Sequence, residues 1–324
     1  MFDNMTLAET NTILEFYHDV IEGLGRYPKK ISSKYFYNKK GDELFQKIMD
    51  LDEYYLTRAE LEIFTRQSDK ILRLLSEDGA PFNILEFGAG DGSKTKVLLR
   101  HFLKKRVNIT YLPIDISRNA LDGLAECLSD EIPELSVKPL QGDYFETLNR
   151  LTHDSDRKNV VLFLGSNIGN FSTEDAISFL TQVKSNLNPG DFILIGFDLK
   201  KNPEKIRKAY SDSMGITAEF NLNLLDRINE ELCGNFDRNK FYHHATYDPV
   251  SGECRSMLIS KEDQQVCIDE QVFIFEKWEP IHTEISKKYS LHEIESIRES
   301  SGFELVDFLF DSARQYTDAI WQVG

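Results

Sequence analysis

The sequence predicts an α/β protein with a doubly wound, mainly parallel sheet and an inserted α+β domain. Three observations predict it. From residue 82 short apolar runs alternate with helical stretches, the pattern of βαβ units. The first run ends in a glycine-rich loop, at the strand end where open parallel sheets bind their ligands. Beyond Leu199 the alternation stops, and a helix with several strand-like pieces intervenes before a closing helix and two strands.

The elements follow in chain order. Ile13, Leu14, Tyr17, Ile21 and Leu24 recur at helical spacing and predict a helix over 10–26, ending at Gly23 and Gly25. A second helix is expected over 41–49. A long third is expected over 57–75, where Thr57 and Glu60 have the spacing of a capping box. Sheet strands are expected over 82–87, 109–114, 135–140, 160–164 and 192–197. The insertion should hold a helix near 222–232 and strands over 241–247, 255–260 and 267–278. A helix over 292–300 and strands over 303–310 and 319–323 then complete the first sheet. At 324 residues the chain exceeds the roughly 150 of a usual single domain. The expected division is 62–198 with 287–324 as a cofactor-binding domain, and 1–61 with 199–286 as a substrate-binding domain.

Composition narrows the function. A formal net charge of −16 repels phosphate backbones, and no basic stripe offsets it, so no nucleic-acid partner is expected. No run of about 18 apolar residues suggests a membrane span, and no leader-like start is seen; a cytoplasmic protein is expected. Cys127, Cys233, Cys254 and Cys267 are dispersed and lack CxxC spacing, which reads as reduced thiols. His243 and His244 stand side by side without further metal-ligand spacing, so no metal is expected. A monomer acting on a small molecule fits these features.

The glycine-rich loop reads Glu86-Phe87-Gly88-Ala89-Gly90-Asp91-Gly92-Ser93-Lys94. Its glycines let the backbone turn sharply and let a ligand lie against main-chain atoms. A dinucleotide fingerprint would place glycine where Ser93 stands, which weakens a pyrophosphate reading. The acid before the loop and the wider glycine pattern resemble the first motif of class I methyltransferases, Rossmann-like enzymes that use S-adenosylmethionine. Asp115 ends the second strand at a spacing from which an acid reaches a ribose diol. The third ends in Gly142-Asp143-Tyr144, where Asp143 can accept from an adenine amino group and Tyr144 can pack its ring.

The fourth strand leads into Phe163-Leu164-Gly165-Ser166-Asn167-Ile168-Gly169-Asn170-Phe171. Around it stand Tyr35-Phe36-Tyr37, Leu44-Phe45, Glu53-Tyr54-Tyr55-Leu56-Thr57-Arg58-Ala59-Glu60, Ala209-Tyr210-Ser211-Asp212, Gly215-Ile216-Thr217-Ala218 and Thr283-Glu284-Ile285-Ser286-Lys287. With these segments, in this order, nearly the whole chain resembles the histidine-specific Nα-methyltransferases of the ergothioneine pathway. The resemblance implies methylation of the α-amino group of free L-histidine, up to the trimethylated betaine hercynine. It places Gly88, Gly90, Lys94, Asp115, Asp143, Tyr144 and Gly165 at the cofactor. Tyr54, Asn170 and Tyr210 would hold the amino acid's backbone groups, and Glu284 with Ser286 the imidazole. Tyr37, Phe45, Thr217, Phe220 and Met257 would line the pocket. Tyr37, Asn170 and Tyr210 are the catalytic candidates, with Tyr37 as a proton acceptor.

These residue types suit the chemistry. Methyl transfer from a sulfonium is an in-line displacement governed by proximity and orientation. A carboxylate and a hydroxyl match the two nitrogens of an imidazole, and at strand spacing i, i+2 they share a face. Three alternatives stay open: another aromatic amino acid as acceptor, a nicotinamide-dependent oxidoreductase, or a binding module without catalysis on the same fold.

Overall fold

The computed structural model describes residues 7–76, 79–90, 92–115, 118–142, 144–153 and 157–324, so Asp91 and Asp143 lie outside the described residues. The chain divides into two compact units, Leu56–Lys200 with Lys287–Gly324, and residues up to Tyr55 with Lys201–Ser286. Both divisions sit a few residues from those expected at 61/62 and 198/199. The first moves because Leu56–Leu75 is one uninterrupted helix that packs as a whole on the strand Tyr316–Gln322 and the helix Thr95–Lys104.

The first unit is built on one sheet. Across it the strands run Glu304–Phe310, Tyr316–Gln322, Phe192–Asp198, Lys158–Phe163, Phe82–Phe87, Ile109–Asp115 and Ser136–Val137. The pairs from Phe192–Asp198 to Ser136–Val137 are parallel, and Tyr316–Gln322 runs antiparallel to both of its neighbours. Every residue of Phe82–Phe87 is buried, as a central parallel strand covered on both faces requires. The strand order reverses beside Phe82–Phe87, which puts a crevice at its carboxyl end. Under one face, Leu85, Phe163, Phe179, Leu180, Ile195 and Trp321 belong to a continuous apolar core.

Two local expectations fail here. The strand expected over 135–140 is two short pieces, Ser136–Val137 and Leu140–Gln141, each paired with Ile109–Asp115. Pro139 lies between them and has no N–H to give the ladder. The capping box at Thr57 and Glu60 does not form either. The helix already begins at Leu56, and the Glu60 carboxylate is buried and accepts hydrogen bonds from residues distant in sequence. The same signal does act at Ser290 and Glu293, where both halves of a capping box open the helix Leu291–Ser301.

The second unit has its own core, from the first helix through the helix Ile216–Leu232 to a small sheet. Helix Leu7–Gly25 contributes Phe16, Val20 and Leu24, and helix Ile216–Leu232 contributes Leu224, Leu225 and Ile228. The sheet runs Lys29–Lys30, Pro280–Lys287, Glu253–Ser260, Phe241–Tyr247. The segment expected as a single strand over 267–278 is instead part of a hairpin, Gln264–Ile268 with Gln271–Phe275, turning at Asp269 with φ +52°. A helix at Pro203–Ala209, capped by Asn202 and with proline in its first turn, was not expected from the pattern.

Asp198 and Lys288 form an ion pair at 3.1 Å with both side chains fully buried in the first unit. Breaking such a pair costs about 3–5 kcal/mol because a charge is left in low dielectric. Lys288→Met should lower the unfolding free energy by about that amount in urea titrations, and adding Asp198→Asn should recover much of the loss. A single variant as stable as the parent would refute the pair's role.

Candidate active site

The cofactor half is assembled from strand ends. Gly88 donates its N–H to the Ile114 carbonyl at 3.3 Å and Gly142 donates to the Asp115 carbonyl at 3.2 Å, so three neighbouring strands finish side by side. Gly88 and Gly90 have φ of +66° and +55°, a conformation in which a side chain would be strained, and both are exposed. Tyr144 stacks on Phe87 with ring centroids 4.4 Å apart and planes 16° apart, and its hydroxyl would lie 3.6 Å from a Cβ placed on Gly88. Asp115 is half-buried at the adjacent strand end. Lys94, just before the helix Thr95–Lys104, pairs its ammonium with the Glu60 carboxylate.

This set fits S-adenosylmethionine. Asp115 can accept from a ribose diol, Tyr144 offers a ring face to adenine, and Lys94 supplies a cation for the cofactor's single carboxylate. Glu86, the acid before the loop, does not face a ligand. It is buried, accepting from the Thr95 hydroxyl at 2.8 Å and from the Tyr111 hydroxyl at 2.5 Å, and burial pushes it up to about 7. Its work is to fasten the first strand to the helix after the loop and to the second strand.

The fourth strand end is held from several sides. Gly165, with φ +72°, donates its N–H to both oxygens of Glu60 at 2.9 and 3.1 Å. Ser166 also lies in the left-handed region, at φ +60°, a strained position for a residue with a side chain; its buried hydroxyl accepts from the Asp198 N–H at 3.1 Å. The turn Asn167–Asn170 follows, and the Tyr289 hydroxyl donates to the Ile168 carbonyl at 3.0 Å. Asn170 sits exposed at the end of that turn, in the same unit as the residues expected at the cofactor.

The second unit brings together most of the residues expected at the substrate. The turn carrying Tyr35 and Phe36 is tied to the helix Ile216–Leu232, because Arg227 donates to the Tyr35 carbonyl at 3.0 Å and Asn223 donates to the Asn38 side chain at 2.9 Å. Phe45 then lies 5.7 Å from Tyr37, 5.8 Å from Phe220 and 6.2 Å from Tyr54, ring centre to ring centre. Tyr54 continues to Tyr210 at 6.3 Å. The Tyr210 and Ser286 hydroxyls, both buried, share a hydrogen bond of 2.8 Å. Asp212 accepts from the backbone N–H groups of Ile216 and Thr217 at 2.9 and 2.7 Å, which sets the start of the helix bearing Thr217 and Phe220. Despite its burial those donors hold its carboxyl below the usual carboxylate range.

Glu284 is half-buried on the strand Pro280–Lys287, on the wall of a cleft it shares with Lys30, Arg255 and His282. Tyr37 is partly exposed, yet burial, followed by the charges of Glu284 and Asp42, raises its ionisation above the usual phenol range. The influence of Glu284 on this phenol places the two side chains in one electrostatic neighbourhood. Met257 is half-buried on the strand Glu253–Ser260, opposite His244. His243 is pushed down to about 4 by burial and then by His244. Sequence reasoning missed Glu60 and Tyr316, which bind one another at 2.8 Å. In the segment Thr57-Arg58-Ala59-Glu60 the local signal at Glu60 is that of a helix cap, which hides its distant partners.

Comparison with known proteins gives a consistent picture. A family model described as a histidine-specific, S-adenosylmethionine-dependent methyltransferase matches residues 16–323. A histidine N-alpha-methyltransferase of Mycolicibacterium smegmatis is 31% identical over 92% of this chain and 92% of its own length. One of Mycobacterium tuberculosis is 30% identical over 96% of this chain and 95% of its own. Ergothioneine biosynthesis protein 1 of Schizosaccharomyces pombe is 33% identical over 86% of this chain, which spans 37% of that longer relative.

Burial gives Glu86 a measurable signature. In the unfolded chain it ionises near 4.5, so between that value and about 7 the folded protein holds a proton the unfolded chain releases. The stability this contributes is full below about pH 4.5 and is lost as pH rises through about 7. Glu86→Gln should therefore show a flatter urea midpoint than the parent between about pH 5 and 8; equal slopes would contradict the buried, protonated acid.

Proposed function

Because the chain belongs to the family of histidine-specific, S-adenosylmethionine-dependent methyltransferases, we propose that it methylates the α-amino group of free L-histidine, on to the trimethylated betaine hercynine, as a step of ergothioneine biosynthesis. The observation that carries the substrate reading lies in the second unit. A row of rings from Tyr37 through Phe45 and Tyr54 to Tyr210 ends at a buried hydroxyl pair, Tyr210 with Ser286, and Glu284 stands two residues before Ser286 on the same strand. Rings suit a flat heterocycle, while a carboxylate and a hydroxyl suit its two nitrogens.

In this reading Glu284 accepts from one imidazole nitrogen and Ser286, oriented by Tyr210, meets the other. Tyr54 and Asn170 hold the α-amino and α-carboxylate groups, and Thr217, Phe220 and Met257 complete the lining. Gly88, Gly90, Asp115, Tyr144 and Gly165 hold the nucleoside end of the cofactor, and Lys94 its carboxylate. S-adenosylmethionine supplies an electrophilic methyl group. The chain's own part is to hold a neutral amine with its lone pair aligned, worth several orders of magnitude in rate through orientation alone. The amine's proton leaves to water or through Tyr37 before each attack. The family match removes the nicotinamide reading. Another aromatic amino acid remains the second reading, because the rings alone would stack on any flat side chain. Action in the cytoplasm, as a monomer, on a free amino acid fits the acidic composition and the dispersed cysteines; no described helix is long and apolar enough to cross a membrane.

Steady-state kinetics test the assignment. Glu284→Ala should lower kcat/KM for histidine by about tenfold or more while S-adenosylhomocysteine binds as before, since an imidazole nitrogen loses its acceptor. Unchanged preference for histidine over tryptophan in that variant would remove the imidazole role. Asn170→Ala should lower kcat by about tenfold or more through misplacement of the amine, and full turnover would exclude it.

A further inference from the structure

We propose that Glu60 is a positioning residue for the cofactor's amino-acid end, holding the Lys94 ammonium, and through its amide the loop at Gly165, in the arrangement in which Lys94 receives the α-carboxylate of S-adenosylmethionine. The inference rests on the assignment of Lys94 to the cofactor. Glu60 comes from the helix Leu56–Leu75, outside the strand-end loops, and its carboxylate is fully buried. Its acceptor positions are taken by Lys94, by the Gly165 N–H at 2.9 and 3.1 Å, and by the Tyr316 hydroxyl at 2.8 Å. Two of those three partners stand at the carboxyl ends of the strands Phe82–Phe87 and Lys158–Phe163, where the cofactor's groups are expected.

The third partner fixes the carboxylate itself. Tyr316 opens the strand Tyr316–Gln322, and on the neighbouring strand Gly196 has no room for a side chain, because a Cβ there would collide with the Tyr316 hydroxyl and with Glu60. Glu60 is thus pinned from behind while it faces Lys94 and Gly165. Asp318, two residues along the same strand, is also fully buried. Burial, then the charge of Glu60, pushes its carboxyl well above the usual range. Burial works against the charge on Lys94, but Glu60 outweighs it and holds the ammonium above its usual value. A lysine side chain is flexible about four bonds and loses rotamer entropy when fixed. A preset Lys94 meets an incoming carboxylate without that cost.

Calorimetric titration of the full chain with two ligands separates this role from general support of the fold. S-adenosylhomocysteine carries the amino-acid end, and 5′-methylthioadenosine carries the nucleoside and thioether without it. Glu60→Gln should bind S-adenosylhomocysteine about tenfold more weakly and 5′-methylthioadenosine within about twofold of the parent. Equal loss for both ligands, or no loss for either, would overturn the proposal. Tyr316→Phe removes one donor to Glu60 and spares the ion pair. It should show the same selective loss at about threefold, and it decides the matter where Glu60→Gln does not fold: unchanged affinity for S-adenosylhomocysteine then overturns the role. Adding Glu60→Gln to Lys94→Met should cost nothing further, because the glutamate acts through the lysine; an additive loss would contradict that. Failure of the parent chain to bind S-adenosylhomocysteine would instead strike the cofactor assignment of Lys94.

Discussion

A buried carboxylate with no water to solvate it must be satisfied by the protein, and in the cofactor unit Glu60 turns that demand into architecture. Its partners Lys94, Gly165 and Tyr316 are 34, 105 and 256 residues away in sequence. One side chain therefore ties the long helix to two strand-end loops and to the antiparallel strand Tyr316–Gln322. Glu86 plays a related part a short way along, joining the first strand to the next helix through Thr95 and to the second strand through Tyr111. The loops at the crevice have glycine conformations that permit many shapes. Polar anchors beneath them select one.

The second unit uses the same logic with fewer charges. Its small sheet and the helix Ile216–Leu232 share an apolar core. Polar groups at fixed points then set the details: the Thr283 hydroxyl donates to the buried Asn221 side chain at 2.9 Å, and Tyr210 pairs with Ser286. In the proposed reading rings supply bulk and shape, whereas Glu284 with Ser286 would distinguish a heterocycle with two nitrogens from a hydrocarbon face. Selectivity in this account rests on leaving that acid unsatisfied by the wrong guest.

Much of the cofactor unit was legible because its signals are local. The apolar run 82–87 and the glycines after it locate the first strand and its loop, and the observed strand has those bounds. Asp115 and Tyr144 follow from their places at the next strand ends. What sequence could not give were contacts between distant residues. Glu60 reads as a cap because Thr57 stands three residues before it, and only tertiary packing reveals its partners across the sheet. Ser286 and Tyr210 read as two separate ligand contacts, yet they bind each other across 76 residues of chain. The hairpin turn at Asp269-Glu270 was missed because it lacks the Asn-Gly or Asp-Gly pair that marks the commonest two-residue turns.

The central claim is that an acid and a hydroxyl among aromatic rings make histidine the preferred acceptor of a sulfonium methyl group. The most direct measurement is mass spectrometry of one reaction containing the enzyme, S-adenosylmethionine and equal amounts of free histidine, tryptophan and tyrosine. The account predicts that histidine alone accumulates methyl groups, all on its α-nitrogen, ending at the betaine. Methylation of tryptophan or tyrosine at a comparable rate, or of an imidazole nitrogen, would contradict it.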